Sequence, residues 1–310
     1  MKKIILIILI LILSVLLLNK CSAANNGFDI SNALVPAELI LSGGPQKDGI
    51  PALDNPSFIS ATDAKFLNGS DRVLGMNYQG VTKAYPIKIL NYHEIVNDEF
   101  NGDPIVITFC PLCGSGIAYS AIINGKKYHF GVSGLLYNSD VLLYDRETES
   151  LWSQIMNKAI SGPLQGYRLQ TITLSHTSWQ DWKQRYPESL VLSSNTGFRR
   201  DYTTNPYRNY QLDRNIWFPV TAQDDSYHPK ELVIGIEING QFKAYPFAEL
   251  EKAGSQITDN FAGENLRIYF NKQHQSGRIF DLDGNELPSV TTFWFAWYVF
   301  HPEGQVFKER

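Results

Sequence analysis

The residues best suited to chemistry are two cysteines, Cys110 and Cys113, separated by Pro-Leu and followed by a glycine. The chain contains 3 cysteines, and the third, Cys21, lies near the amino terminus. In an oxidising compartment, a pair this close forms a disulfide, a redox couple or a metal clip. A purely structural disulfide is disfavoured because so short a loop removes little entropy from the unfolded chain and strains the ring. The pair therefore indicates redox chemistry or metal binding.

The redox hypothesis gives each thiol a role. Cys110, expected to be the more exposed thiol at the end of a strand, attacks the substrate, and Cys113 resolves the mixed disulfide. His93 acts as a base or stabilises the thiolate. A helix starting at Pro86 would put His93 on its apolar face, so a hydrogen-bonded core histidine is the alternative interpretation. This hypothesis requires a redox partner and no cofactor.

The metal hypothesis uses the same cysteines in a module that binds or delivers metal without enzymatic activity. The residues after Cys113 predict strands and turns, as in a zinc knuckle, rather than the helix of a thioredoxin-like site. The sequence has no second Cys-x-x-Cys motif, so the other ligands must be histidines or oxygens. The candidates are His93, His129 and His301, with His274 added if two copies of a repeat face each other. Such a set suits Zn²⁺ or Cu⁺, and the module would need a metal donor or acceptor.

The sequence also contains a divergent duplication. Residues 73–90 match residues 233–250 at an offset of 160, with Lys-Ala-Tyr-Pro identical in both. The match continues at an offset of 161 from residue 95 onwards, over too many positions to arise by chance. Each copy predicts a strand, a tight turn, a strand, a short helix opened by proline, and further strands. We expect a β-rich α+β fold in which two repeats pack with approximate two-fold symmetry.

The duplication separates shared scaffold from residues found in one copy. The aligned pairs are Cys110 with Asn271, Cys113 with His274, and His93 with Ala253. Because the chemical side chains occur together only in the first copy, we expect one functional site, in that copy.

The duplication and the amino terminus together define the expected domains. Residues 293–300 are almost all aromatic or aliphatic, which predicts a fully buried strand at the end of the second repeat. The segments are a signal peptide at 1–23, an N-terminal extension at 24–62, a main domain at 63–302 and a tail at 303–310. Within the main domain, repeat one spans about 72–131, a connecting segment 132–231, and repeat two about 232–300.

The amino terminus has the pattern of an export signal. Two lysines precede residues 4–18, which are all Ile, Leu or Val except Ser14, and this run is shorter than a spanning helix requires. Cleavage is expected after Ala23, with lipidation of Cys21 or an uncleaved anchor as alternatives. We therefore expect an extracytoplasmic protein (periplasmic, secreted or at the cell surface) that touches a membrane only through this segment.

Composition and charge exclude several classes. The chain is 44% hydrophobic and 19% charged, as in an ordinary folded protein. Removing residues 1–23 takes three of the 27 basic residues and leaves 24 against 31 acidic ones, a net charge of −7. An acidic chain without a basic run is a poor candidate for binding nucleic acid or anionic lipid.

Six motifs lie at 91–98 (NYHEIVND), 108–114 (TFCPLCG), 130–140 (FGVSGLLYNSD), 144–146 (YDR), 149–154 (ESLWSQ) and 293–302 (FWFAWYVFHP). Together they resemble the family known as domain of unknown function 3179, which comprises exported or membrane-associated proteins of bacteria and archaea. The resemblance extends from about residue 63 to residue 302. It supplies no reaction, but it implies that His93, Cys110, Cys113 and the Asn138–Asp140 region form a characteristic site. We expect Asn138 and Asp140 to bind a cofactor there.

Overall fold

The computed structural model describes residues 25–309. The predicted signal peptide at 1–23 lies outside the described residues. Within residues 25–309, no helix is both long enough and apolar enough to cross a membrane.

The described chain consists of short strands with few helices. One 3₁₀ turn, Ala37–Leu39, precedes the strands, and the helices are α1 (Ile87–Leu90), α2 (Trp179–Arg185), α3 (Arg208–Leu212), α4 (Phe247–Ala253) and α5 (Trp294–Phe300). The strands in chain order are β1 (Ile40–Ser42), β2 (Phe58–Ser60), β3 (Arg72–Tyr78), β4 (Val81–Pro86), β5 (Ile95–Phe100), β6 (Asp103–Cys110), β7 (Ser115–Ser120), β8 (Ile122–Ile123), β9 (Lys126–Lys127), β10 (Phe130–Tyr137), β11 (Asp140–Asp145), β12 (Leu151–Ser153), β13 (Lys158–Ser161), β14 (Thr171–Ile172), β15 (Ser175–Ser178), β16 (Leu190–Leu192), β17 (Leu232–Ile238), β18 (Gln241–Pro246), β19 (Gln256–Phe261), β20 (Glu264–Asn271), β21 (Ser276–Phe280), β22 (Val290–Phe293) and β23 (Gln305–Val306).

Five small sheets and one isolated hairpin contain these strands. Two names are used below: the cysteine sheet has the order β14-β7-β6-β5, and the central-insert sheet has the order β1-β10-β11-β12-β13. The other sheets are β15-β3-β4-β16-β2, β22-β17-β18-β23 and β19-β20-β21, and the hairpin is β8-β9.

The five sheets have the arrangement of a five-bladed β-propeller, and helices account for only 12% of the structure. The expected α+β fold of two repeats with two-fold symmetry is therefore wrong. The central-insert sheet explains the error, because its strands come almost entirely from the N-terminal extension and the connecting segment. Those segments have no copy in the sequence, so the duplication could not reveal the fifth sheet.

The duplicated segments form equivalent hairpins within two of the sheets. β3 pairs with β4 in a register that places Val73 opposite Pro86. β17 pairs with β18 in the same register, with Val233 opposite Pro246. A three-stranded meander follows each hairpin, β5-β6-β7 in one copy and β19-β20-β21 in the other. The repeat therefore supplies matching blades of the propeller rather than two halves.

A tryptophan packs on each hairpin in the same way. The strand–helix unit β15–α2 carries Trp182, and the unit β22–α5 carries Trp297. A Cβ atom at Gly75 would lie 2.2 Å from the ring of Trp182, and one at Gly235 would lie 1.9 Å from the ring of Trp297. Both positions require glycine because the ring lies against the backbone.

Two local predictions also need correction. The aromatic run at 293–300 is a strand only to Phe293, and the helix α5 then begins. Six of its eight residues are buried and the other two are half-buried, so the sequence showed no periodicity that separates helix from strand. The helix that begins after Pro86 ends at Leu90, so His93 follows the helix instead of lying on it.

Candidate functional site

Cys110 ends strand β6, and Cys113 lies in the turn that connects β6 to β7. Cys110 pairs with Ser115, and residues 111–114 form the turn. The backbone N–H of Cys113 donates to Sγ of Cys110 over 3.4 Å. Gly114 has a φ of +63°, and a Cβ atom there would lie 2.8 Å from the ring of Phe293. The turn is therefore compact and closely packed, and glycine is required after the second cysteine.

Strand β22 holds the turn from the other side. The carbonyl oxygen of Cys113 accepts hydrogen bonds from the hydroxyl of Thr292 at 2.9 Å and from the N–H of Phe293 at 2.8 Å. Cys110 and Cys113 are both buried, at 1% and 0% exposure. The expectation that Cys110 is the more exposed thiol therefore does not describe this conformation.

A second hairpin turn, from the central-insert sheet, meets the cysteines. Tyr137 pairs with Asp140, so Asn138 and Ser139 form a two-residue turn between β10 and β11. Both turn residues have positive φ, 53° and 65°, as a type I′ turn requires. The turn brings the carbonyl oxygen of Ser139 to 3.7 Å from Sγ of Cys110 and 3.4 Å from Sγ of Cys113.

Asp140 completes a cluster with the two thiols. Its Oδ1 lies 3.9 Å from Sγ of Cys113, and one atom from each of Cys110, Cys113 and Asp140 lies within 4.8 Å of the others. Among residues 25–309, no other group of three His, Cys, Asp or Glu side chains is this close. The carboxylate expected at a cofactor site thus lies beside the sulfurs.

Burial dominates the electrostatics of the cluster. Asp140 accepts hydrogen bonds from the hydroxyl of Ser153 and the N–H of Ile155, both at 3.0 Å. Burial nevertheless raises the pKa of Asp140 to about 7, against the lowering effect of these bonds. Burial also raises the pKa of Cys113 well above its usual value, with further contributions from Cys110 and Asp140. Near neutral pH, Cys113 is therefore a thiol, and Asp140 can either hold or accept a proton.

His93 is buried but has other partners. Its Nδ1 lies 2.8 Å from the carbonyl oxygen of Pro51, and its Nε2 lies 2.6 Å from the hydroxyl of Tyr202. Burial lowers the pKa of His93. Both nitrogens are thus occupied away from the sulfurs, and this arrangement is that of a hydrogen-bonded core histidine.

The other predicted histidine ligands also lie outside the cluster. His129 is near the surface, with its Nδ1 2.8 Å from a carboxylate oxygen of Glu147. His301 stacks on Phe242 at 3.8 Å between ring centroids, and burial lowers its pKa to about 4. The structure therefore does not bring His93, His129 or His301 together with the cysteines.

The second copy shows which features of the turn belong to the scaffold. Its turn lies between Asn271 and Ser276, and the N–H of His274 donates to Oδ1 of Asn271 over 3.2 Å. This bond corresponds to the one from Cys113 to the sulfur of Cys110. The N–H···S bond is thus ordinary capping of this turn and is not by itself evidence for a metal. What distinguishes the first copy is its pair of thiols and the adjacent carboxylate.

A segment from the middle of the chain, residues 205–221, covers the cluster; we call it the covering segment. The N–H of Thr221 donates to Oδ1 of Asn138 over 2.9 Å, and the hydroxyl of Ser139 donates to the carbonyl of Phe218 over 2.9 Å. Asn138 therefore fastens the covering segment, whereas it was expected to bind a cofactor.

Two tyrosines of the covering segment reach the thiols. Burial raises the pKa of both tyrosines. Glu94 and then Cys110 raise the pKa of Tyr207 further, and Cys113 and then Cys110 raise that of Tyr210. The hydroxyl of Tyr210 is buried and has no hydrogen-bond partner among the described residues. Neither tyrosine could be predicted from the sequence, because both lie outside every repeated segment and no spacing pattern connects them to the cysteines.

Fold and site together define a propeller-like β protein with a buried dithiol and a carboxylic acid between two blades. The sequence model of a family described as "Protein of unknown function (DUF3179)" matches residues 47–283. The chain belongs to this family, which confirms the resemblance noted from its motifs. No curated protein matches the chain, and no solved structure matches it.

Proposed function

We propose that this protein is a thiol–disulfide redox protein that uses Cys110 and Cys113 as its couple. The observation that carries the proposal is the carboxyl of Asp140, whose Oδ1 lies 3.9 Å from Sγ of Cys113 and whose pKa burial raises to about 7. A buried second thiol needs a nearby proton acceptor before it can attack, and Asp140 fits that role. Asp140 thus takes the place that the sequence analysis gave to His93.

The proposed reaction passes two electrons from the protein to a substrate disulfide. The Cys110 thiolate attacks one substrate sulfur, forming a mixed disulfide, and the other substrate sulfur leaves as a thiolate that takes a proton from solvent. Cys113 gives its proton to Asp140 and attacks the sulfur of Cys110. The second substrate sulfur leaves as a thiol after taking a proton, and a disulfide remains between Cys110 and Cys113. A partner dithiol reverses these steps and returns the protein to its reduced form.

The covering segment controls access to the couple. Because both thiols are buried, a substrate reaches Cys110 only when the covering segment moves. The two hydrogen bonds from Thr221 and Ser139 that fasten it are each worth about 1 kcal/mol. The apolar side chains of the covering segment that pack on the core, Tyr210 among them, add to the cost of opening.

Export is part of the proposal. The apolar run at 4–18 after two lysines supports an extracytoplasmic location, where disulfide exchange has substrates. We expect the mature chain recovered from outside the cytoplasm to begin after Ala23, as its intact mass would report.

The test is a titration of free thiols on residues 24–310, purified anaerobically without a metal-affinity tag. In glutathione buffers of increasing oxidation, the two thiols should disappear together and return on reduction. Cys110→Ser and Cys113→Ser should each abolish this transition. The matched control changes the equivalent turn of the other copy, Asn271→Ser with His274→Ser, and should leave the transition unchanged. Thiols that stay reduced across the whole range would overturn the proposal.

Metal binding is the second candidate, and one observation favours it. Cys110, Cys113 and Asp140 bring two sulfurs and a carboxylate oxygen within 4.8 Å of one another. Two thiolates and one carboxylate suit Zn²⁺, whereas Cu⁺ would use mainly the sulfurs. Metal analysis of the same preparation decides between the candidates. About one equivalent of zinc or copper, lost in Cys110→Ser and protecting the thiols from alkylation, would establish the metal function in place of the redox function.

A further inference from the structure

A pocket lies against the cysteine turn. Its volume is about 170 Å³, close to that of a cavity that holds one benzene ring. Leu112, the residue between the two thiols along with Pro111, forms part of its wall. The remaining walls are mainly apolar and include Val141, Tyr207, Trp217, Phe218 and Glu94.

Glu94 is the only acidic or basic side chain among the residues that line the pocket. It is 6% exposed, and its carboxyl makes no hydrogen bond with any side chain or backbone group within residues 25–309. Burial raises the pKa of Glu94 to about 8, so near neutral pH it is mostly an uncharged carboxylic acid. In that form, it offers one O–H donor to whatever enters the pocket.

The second copy shows that the scaffold does not need this acid. The N–H of Phe109 donates to the carbonyl of Glu94 over 2.7 Å, and the N–H of Phe270 donates to the carbonyl of Ser255 over 2.9 Å. Glu94 and Ser255 are therefore equivalent positions, yet Ser255 is exposed. Glu94 also has a φ of +57°, a strained conformation for a residue other than glycine. Burial, strain and the acid occur together only in the copy that holds the thiols.

We propose that this pocket binds an apolar side chain of a peptide substrate, next to the substrate cysteine that reacts with Cys110, while Glu94 donates a hydrogen bond to a neutral carbonyl of that peptide. This inference rests on the proposed redox function and names its substrate class. The volume admits one side chain with the carbonyl beside it at the pocket entrance, so the rest of the substrate stays outside. No lysine or arginine lines the pocket, so an anionic group would gain no partner there.

The covering segment connects the pocket to the thiols. Tyr207 and Glu94 both line the pocket, and burial, then Glu94, then Cys110 raise the pKa of Tyr207. A substrate that displaces the covering segment to reach Cys110 therefore opens the pocket wall at the same time. One movement of the covering segment therefore lets the substrate both enter the pocket and reach the sulfur of Cys110.

The test compares two small disulfides with the reduced protein, those of N-acetyl-phenylalanyl-cysteine amide and N-acetyl-aspartyl-cysteine amide. The measured quantity is the second-order rate of thiol loss. Wild type should react at least about 10-fold faster with the phenylalanyl probe, the range expected for an apolar group in a fitting pocket. Only a probe whose side chain occupies the pocket brings its carbonyl to Glu94. Glu94→Leu should therefore lose most of this preference, and Glu94→Gln, which keeps a donor, should retain it. Ser255→Leu, the matched change in the other copy, should have no effect on the preference.

The two possible failures are distinguishable. Equal rates for both probes with wild type would overturn the pocket inference and leave the redox function standing. No reaction with either probe would overturn both. If Glu94→Leu does not fold, Glu94→Gln and the wild-type ratio still decide, because a ratio near one in wild type suffices to reject the inference.

Discussion

Oδ1 of Asp140 lies 3.9 Å from Sγ of Cys113, although the two residues belong to different blades of the propeller. Asp140 begins β11 of the central-insert sheet, and Cys113 lies in the turn after β6 of the cysteine sheet. The contact depends on two hairpin turns meeting, and each turn has its own sequence requirement. The cysteine turn needs glycine at its end, and the Asn138–Ser139 turn needs residues that tolerate positive φ.

The first prediction concerns Asp140 as the proton acceptor. Asp140→Asn removes the acceptor and also one of the charges that raise the pKa of Cys113. Because burial is the larger cause of that raised pKa, loss of the acceptor should dominate. We expect closure of the disulfide from a mixed-disulfide intermediate to slow by about 100-fold. Stopped-flow release of the second substrate thiol measures this step.

The pH dependence of the same step distinguishes an acceptor from a structural residue. In wild type, the rate should rise as Asp140 loses its proton, around pH 7, and Asp140→Asn should lack this rise. Ser153→Ala removes a hydrogen bond that lowers the pKa of Asp140, so the rise should move to higher pH. An unchanged profile in both variants would contradict the role of Asp140.

The second prediction concerns Glu94 and stability. Its pKa is 4.5 when unperturbed and about 8 in the folded protein, so between these values the folded state holds a proton that the unfolded state has lost. The free energy of unfolding should therefore fall as pH rises from 4.5 to 8, by up to about 1.4 kcal/mol per pH unit from this group. Urea unfolding of wild type and Glu94→Gln at pH 5 and pH 8 measures the difference.

Comparison with the variant isolates Glu94 from other groups. Asp140 acts in the same direction below pH 7, whereas His301, whose pKa is lowered to about 4, acts in the opposite direction. These contributions are common to both proteins and cancel in the difference. Glu94→Gln should gain stability relative to wild type as pH rises, and a difference that is the same at both pH values would refute the assignment.

The sequence predicted local structure better than the assembly of the sheets. The tight turn of each repeat and the strands on either side of the cysteine turn follow from turn residues and short apolar runs, which act over a few residues. The central-insert sheet could not be predicted in the same way, because β1 pairs with β10 across about a hundred residues of chain. Long-range pairing of that kind leaves no local signal.

The candidate site was predictable to a similar extent. Cys110 and Cys113 were evident from spacing, and Asp140 from its place in a family motif. The histidines were proposed because their side chains suit metal and thiol chemistry. The type of a residue, however, does not predict which loops lie next to one another in the folded protein. The sequence did contain a signal for Glu94. Its counterpart in the other copy is Ser255, so the acid occurs only in the first copy, as Cys110 does opposite Asn271.

The third prediction separates conformational strain from packing at two glycines. Gly114 and Gly125 both have positive φ, 63° and 73°, so alanine is strained at each. Only at Gly114 would the new Cβ atom meet a ring, that of Phe293 at 2.8 Å. Gly114→Ala should therefore destabilise the protein by about 1–3 kcal/mol more than Gly125→Ala. Urea unfolding of the two variants measures this difference. Equal losses of unfolding free energy would mean that the ring of Phe293 moves aside without destabilising the protein.

The fourth prediction concerns access to the thiols through the covering segment. Asn138→Gly keeps a residue that accepts positive φ but removes the Oδ1 atom that binds the N–H of Thr221 at 2.9 Å. Losing one such bond, worth about 1 kcal/mol, should raise the population of the open covering segment about 5-fold. Alkylation of Cys110 and Cys113 should accelerate by the same factor. Asn124→Gly provides the control, because Asn124 has a similar φ of 51° in a hairpin turn far along the chain from the covering segment. If both variants react at the wild-type rate, the covering segment does not limit access, and the thiols must be reached by another route.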